Sequence, residues 1–106
     1  MKIAFINNGY LGMVRQWQEF FYDKRYAATP MLSPDFVALA AAYGLAGHRV
    51  SKREEVAPVV DAVRRSGKAA LVDFRVEKEE SVYPMVPAGA NLEAMVRRPA
   101  GEEVKA

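Results

Sequence analysis

The 106-residue chain has no cysteine and a single histidine, His48. Disulfides, thiolate metal sites and a cysteine nucleophile are therefore excluded. A histidine-rich metal cluster and a Ser-His-Asp triad are disfavoured by the lone imidazole. The longest weakly apolar stretch, "FVALAAAYGLAG", is too short to cross a bilayer. "MKIAFINN" turns polar too early for a secretory leader, so a soluble, cytoplasmic protein without a membrane partner is expected. Charge of one sign is also lacking: 15 basic against 13 acidic side chains leave a net charge of +2. The pI near 9.0 therefore implies no nucleic-acid partner. Arg64-Arg65 and Arg97-Arg98 read more simply as solvated helix-end charges.

What remains is an ordinary composition, half hydrophobic and about a quarter charged, in a chain the size of one domain. "KIAFI" (2–6) is a continuous apolar run of the kind found in buried parallel strands. Asn7, Asn8 and Gly9 end it, and a helix is expected from about Leu11 to Tyr22. "SPDFVALAAAYG" carries the marks of a second helix: Ser33 as cap, Pro34 at the first position, Asp35 in the first turn and Gly44 at the exit. "AGHRV" is a short strand candidate. In "SKREEVAPVVDAVRRSG", Ser51 and Glu54 have capping-box spacing. Val56, Val59, Val60 and Val63 form one helical stripe, and Pro58 is expected to weaken or bend the first half. "KAALVDFRV" (68–76) is the clearest strand. The order strand, helix, helix, strand, helix, strand predicts an α/β fold, a parallel sheet with flanking helices. A short helix is expected around 91–96 and a frayed tail over 99–106.

The stretch "INNGYLGMVRQWQEFFY" is the candidate site. In parallel α/β sheets ligands bind beyond the carboxyl ends of strands, where Asn7 and Asn8 stand. These asparagines suit a strand stop or helix cap, and an amide oxygen also suits a hard cation such as Mg²⁺. In the following helix, at about 100° per residue, Leu11, Val14 and Phe21 share one stripe. Met13, Trp17 and Phe20 share the next, with Arg15, Gln16 and Glu19 opposite. The apolar arc is wide enough for one part to face the sheet and the other to meet a ligand or partner.

"INNGYLGMVRQWQEFFYDKRY", "PDFVALAAAYG" and "VYPMVPAGANLEAMV" together resemble the C-terminal thiamine-diphosphate domain of the acetolactate synthase (acetohydroxyacid synthase) catalytic-subunit family. The resemblance runs from about Lys2 to Arg98, so residues 1–98 are assigned to a C-terminal portion of that domain. It implies that Asn8, through its side chain, and Tyr10, through its backbone carbonyl, bind the Mg²⁺ that anchors thiamine diphosphate. It implies further that Met13 lies beside the cofactor's reaction centre and that Trp17 forms the pocket for the second 2-keto acid, favouring 2-ketobutyrate. Residues matching 11–26 would order over the active site, Ala88 would mark an inhibitor-sensitive position, and the C-terminal tail would form part of a lid. FAD would bind outside these residues. The expected partners are the rest of the catalytic subunit, further copies of it in a homo-oligomer, a regulatory small subunit and small 2-keto acids.

The family's Gly-Asp-Gly metal motif and its activating glutamate do not occur in these residues. The isolated chain is therefore expected to be inactive, to bind cofactor weakly and to self-associate through an exposed sheet edge. Two other readings are a fragment of a different thiamine-diphosphate oxidase or decarboxylase, and a stand-alone, non-catalytic binding or regulatory module.

Overall fold

A computed structural model describes residues 1–100. In chain order it contains β1 (Lys2–Asn7), α1 (Gly12–Phe21), α2 (Phe36–Ala42), β2 (Ala46–Val50), α3 (Arg53–Arg65) and β3 (Ala70–Arg75). A single 3-10 turn, Leu92–Ala94, follows. The element order is the one the sequence predicts. The frayed tail expected over 99–106 falls mostly on residues 101–106, outside the described residues.

The three strands are all parallel, in the order β1-β3-β2. The strongest apolar run, β3, takes the centre, where both of its neighbours complete its ladder. Alternation sends Ile3, Phe5, Leu71 and Asp73 to one face and Ala70, Val72 and Phe74 to the other. The first face is covered by α2: Phe36 stacks on Phe5 with ring centroids 4.3 Å apart. A Cβ on Gly47 would lie 3.0 Å from the Val37 carbonyl oxygen, so only glycine lets α2 sit this close to β2. The second face is covered by α3, and Val50, Val63, Ala70 and Val72 form the core with Val59 beside them.

Both helix caps lie one or two residues later than predicted. Asp35, not Ser33, caps α2, its carboxylate accepting from the amides of Val37 and Ala38. The Ala38 amide, with that of Val37 and the charge of Arg49, outweighs desolvation and holds the Asp35 carboxyl below its ordinary range. Glu55, not Glu54, reaches back to the amides of Ser51 and Lys52 ahead of α3. In each case a carboxylate slightly further along has the better line to the free amides of the first turn. Pro58, the sixth residue of α3, does not divide it: a single helix runs from Arg53 to Arg65, forgoing the bond an amide at 58 would make to the Glu54 carbonyl.

The first strand is a correction. A strand buried on both faces was expected, but β1 lies at the sheet edge and Ile6 is 73% exposed. Helix α3 packs mainly on β2, and Ala4 and Ile6 of β1 stand exposed. The whole chain is correspondingly extended, with a radius of gyration of 17.3 Å where a compact chain of this length has about 13 Å. Leu32, Tyr43 and Leu92 also stand largely in solvent.

The centre of β3 holds a carboxylate among apolar residues. Asp73 is fully buried. One oxygen accepts from the Asn7 amide at 2.9 Å, and the other lies 3.0 Å from Arg75 Nε and 3.4 Å from Arg49 Nε. Arg49 continues to Asp35 at 2.7 Å. The network spans all three strands and the α2 cap. Removing the carboxylate orphans the buried Asn7 amide, whereas the half-exposed arginines regain water. We expect Asp73→Ala to cost about 2–3 kcal/mol and Arg75→Ala no more than about 1 kcal/mol, measured by thermal unfolding. Equal losses from both would contradict this ranking.

Candidate functional site

The candidate site begins where β1 ends. Asn7 is buried and donates its amide to Asp73, so its side-chain oxygen faces the other way, accepting from the Gly9 amide at 3.1 Å. Asn8 makes the same kind of turn one residue on, its oxygen accepting from the Tyr10 amide at 3.0 Å. Two successive Asx turns reverse the chain, and Gly9, at φ +73°, takes the left-handed conformation this needs. Residues 29–31 then pair with the turn: the Leu11 amide donates to Thr29 at 2.9 Å and the Met31 amide to Gly9 at 2.8 Å. Neither of those bonds uses the Tyr10 carbonyl. Between this turn and α2 lies a small cleft of about 140 Å³, lined by Phe5, Asn7, Asn8, Tyr10, Met31 and Phe36.

As a metal-binding set these groups fit in part. A side-chain amide oxygen keeps a second lone pair after accepting one hydrogen bond, and a peptide carbonyl is an equally hard neutral donor. Asn8 and Tyr10 can therefore supply two positions of an Mg²⁺ shell. The remaining charge must come from elsewhere, since the described residues contain no cluster of three His, Asp or Glu side chains. The turn is also pressed against α1: a Cβ on Gly12 would stand 3.0 Å from the Asn8 amide nitrogen.

Helix α1 overturns the expectation that an apolar stripe faces the sheet. Its buried residues are polar, Arg15 at 8% and Gln16 at 4% exposure, while Met13 and Trp17 are 45% and 48% exposed. Leu11, Val14 and Phe21 are exposed as well. The reason is the surface it packs on, which is not the sheet but the strand-less segment 78–85. Arg15 makes a two-pronged bond to Glu79, both distances 3.0 Å. Its guanidinium also lies over the rings of Tyr26 and Tyr10, at 4.3 and 5.4 Å. Burial opposes the charge, but the Glu79 hydrogen bond and charge outweigh it and raise the Arg15 pKa. Gln16 pairs with the Val82 backbone twice, donating to the carbonyl at 3.0 Å and accepting from the amide at 2.7 Å. Gln18 makes the same double pair with Ala27. Polar groups of a loop demand polar partners, so the helix turns its amides inward and its apolar face out.

Of the residues singled out from sequence, Asn8 and Tyr10 share one turn, and Met13 and Trp17 share the exposed face of the helix that starts two residues later. Phe20, grouped with them by spacing, instead leans towards Tyr83 at 5.4 Å. Ala88 lies in an exposed loop. Asp73, Arg15 and Gln16 were missed. A carboxylate amid the apolar residues of "ALVDFR" was the available signal for Asp73; the two helix residues look like any solvated polar face.

A parallel sheet whose first strand ends in an asparagine turn above an open cleft is the architecture of a cofactor-binding α/β domain. Residues 1–74 match the thiamine pyrophosphate enzyme family in its C-terminal TPP-binding domain, and the chain belongs to that family. It is similar to the acetolactate synthase large subunit of Parasynechococcus marenigrum, with 42% identity over 98% of this chain and 17% of that protein. It is also similar to the acetolactate synthase isozyme 2 large subunit of Escherichia coli, with 35% identity over 92% of this chain and 18% of that protein. With the mitochondrial acetolactate synthase catalytic subunit of Saccharomyces cerevisiae, identity is 43% over 91% of this chain and 14% of that protein. The chain thus spans less than a fifth of the length of these relatives.

The contact between Gly12 and Asn8 gives a test of how tightly the turn is held. To admit a methyl group the Asn8 amide must give by a few tenths of an ångström, which strains its bond to Tyr10. Gly12→Ala should therefore destabilise by about 1 kcal/mol despite alanine's better helix propensity. In an Asn8→Ala background the same change should be neutral or slightly stabilising. Additive effects in the double variant, read by thermal unfolding, would show that the two residues do not touch.

Proposed function

We propose that this chain is a C-terminal part of the thiamine-diphosphate domain of an acetolactate synthase catalytic subunit. The enzyme decarboxylates pyruvate and joins the remaining two-carbon unit to a second 2-keto acid, a step of branched-chain amino acid synthesis. Thiamine diphosphate supplies the nucleophilic carbon that makes this decarboxylation possible. The observation that carries the reading is the adjacency of two features within eleven residues: a turn offering neutral oxygen donors, and a helix face offering Met13 and Trp17 to something outside the chain.

In this reading the Asn8 side-chain oxygen and the Tyr10 carbonyl would hold the Mg²⁺ whose charge helps bind the cofactor's diphosphate. The carboxylate ligand comes from residues outside this chain. Met13, nearer the turn, covers the reacting end of the cofactor and keeps water away from it. Trp17, one helical turn further, forms the wall against which the second keto acid lies and sets the size it accepts. The uncovered apolar surface at Ile6 and along α1 is met by the rest of the catalytic subunit and by a second copy of it. FAD binds elsewhere in the subunit, and a regulatory small subunit completes the assembly.

Two experiments test this reading. In the full-length protein carrying this sequence, Trp17→Leu should lower the preference for 2-ketobutyrate over pyruvate as second substrate by about tenfold, the scale of discrimination one methylene allows. An unchanged ratio in competition assays would remove Trp17 from the pocket. The isolated 106-residue chain should show no synthase activity and no stoichiometric heat when titrated with thiamine diphosphate and Mg²⁺. Tight one-to-one binding would mean that these residues alone complete the site.

A further inference from the structure

Helix α1 reaches the rest of the chain mostly through side-chain amides and one guanidinium, with the Phe20 ring against Tyr83 beside them. Gln16 is the most buried residue of the helix, and its amide occupies both backbone groups of Val82, as a neighbouring strand would. It lies 3.3 Å from Met85 Sδ as well. Arg15 grips Glu79 and the Lys78 carbonyl in the same segment. That segment is tied in turn to the residues after it. Met85 and Val96 exchange backbone hydrogen bonds at 2.9 and 2.7 Å, and Arg98 bonds Glu80 at 3.0 Å. The rotation of α1 about its axis is thus set by loop residues sixty positions downstream, and that rotation decides where Met13 and Trp17 point.

We infer that Gln16 is a positioning residue: by clasping Val82 it orients the Met13–Trp17 face, so that the 78–85 segment tunes which second substrate the enzyme accepts. This rests on the pocket role proposed for Trp17. The physical basis is the double bond itself. A planar amide that both donates to and accepts from one residue fixes two directions at once. Each bond lost here leaves a Val82 backbone group that only water can pair. Alanine at position 16 removes both bonds and favours the helix, so it loosens the clasp without disfavouring α1.

The test uses the full-length protein with Gln16→Ala, Trp17→Ala and the double variant. Hydrogen exchange is followed in peptides covering 12–21, 78–86 and 70–75, beside the ratio of 2-ketobutyrate to pyruvate used as second substrate. Gln16→Ala should speed exchange about tenfold in both 12–21 and 78–86 and leave 70–75 unchanged. It should move the substrate ratio in the same direction as Trp17→Ala, and the double variant should shift it no further than Trp17→Ala alone. Faster exchange confined to 78–86 would overturn the inference, because the helix would then be held by something else. Single-variant shifts that multiply in the double would also overturn it, because Gln16 would not be acting through Trp17. If Trp17→Ala leaves the ratio unmoved, the pocket reading fails and takes the substrate-directing half with it. Joint acceleration of the two segments would still support the clasp. Should protection fall in 70–75 as well, Gln16→Glu replaces the alanine variant, since it keeps an acceptor for the Val82 amide. Smaller, paired loosening of 12–21 and 78–86 then supports the inference, and no loosening opposes it.

Discussion

A carboxylate sealed into the middle of a parallel sheet must be answered on every side, and Asp73 organises the chain by being answered. Its two oxygens take hydrogen bonds from the strands on both flanks, Asn7 from β1 and Arg49 from β2, and from Arg75 of its own strand. The bond to Asn7 matters most for the site. Because the Asn7 nitrogen must face the carboxylate, its oxygen must face Gly9, and the chain leaves the strand in the double turn that places Asn8 and Tyr10. A buried ion pair is weak evidence of net stability, since desolvation offsets much of the attraction. Its value here is specificity: an apolar residue at 73 would pack, but would not choose the direction of the Asn7 amide.

The same logic of polar satisfaction governs α1 from the other side. A loop such as 78–85 carries backbone groups that no strand pairs, and in this protein they are met by Gln16, with Arg15 answering the carboxylate of Glu79. Burying these side chains frees the apolar face of the helix from any duty to the core. Met13 and Trp17 are therefore available to a ligand, which is unusual for large apolar residues on an otherwise well-held helix. The site combines two opposite surfaces: hard neutral oxygens at the strand end and a soft apolar wall one helical turn away. A charged cofactor bearing a reactive apolar-facing ring suits such a pairing better than any purely polar or purely greasy ligand.

The class of fold, the element order and most element positions were legible along the chain. A continuous apolar run marked the strand of "KIAFI", and Val72, Phe74 and Val76 on one face marked that of "ALVDFR". Helix-start chemistry marked α2 and α3, although Asp35 and Glu55 rather than their neighbours make the caps. The end of β1 at the asparagines was legible too, although they form a turn and do not cap α1, as was the helix carrying Trp17. Local periodicity encodes such features because they depend on residues within a few positions of one another.

Which surface each element buries was decided only in three dimensions. Ile6 reads as interior and lies open, because no element of the described residues covers β1 on that face. Gln16 reads as exterior and is sealed, because its partner is a backbone sixty-six residues away. Asp73 reads as an interruption and is the hub, because its partners come from both neighbouring strands as well as its own. By itself the sequence determined the parallel α/β order and the end of β1 at the asparagines, through local pattern. Only the tertiary structure decided that α1 shows its apolar face to the outside, since a helix buries whichever side matches the surface it meets.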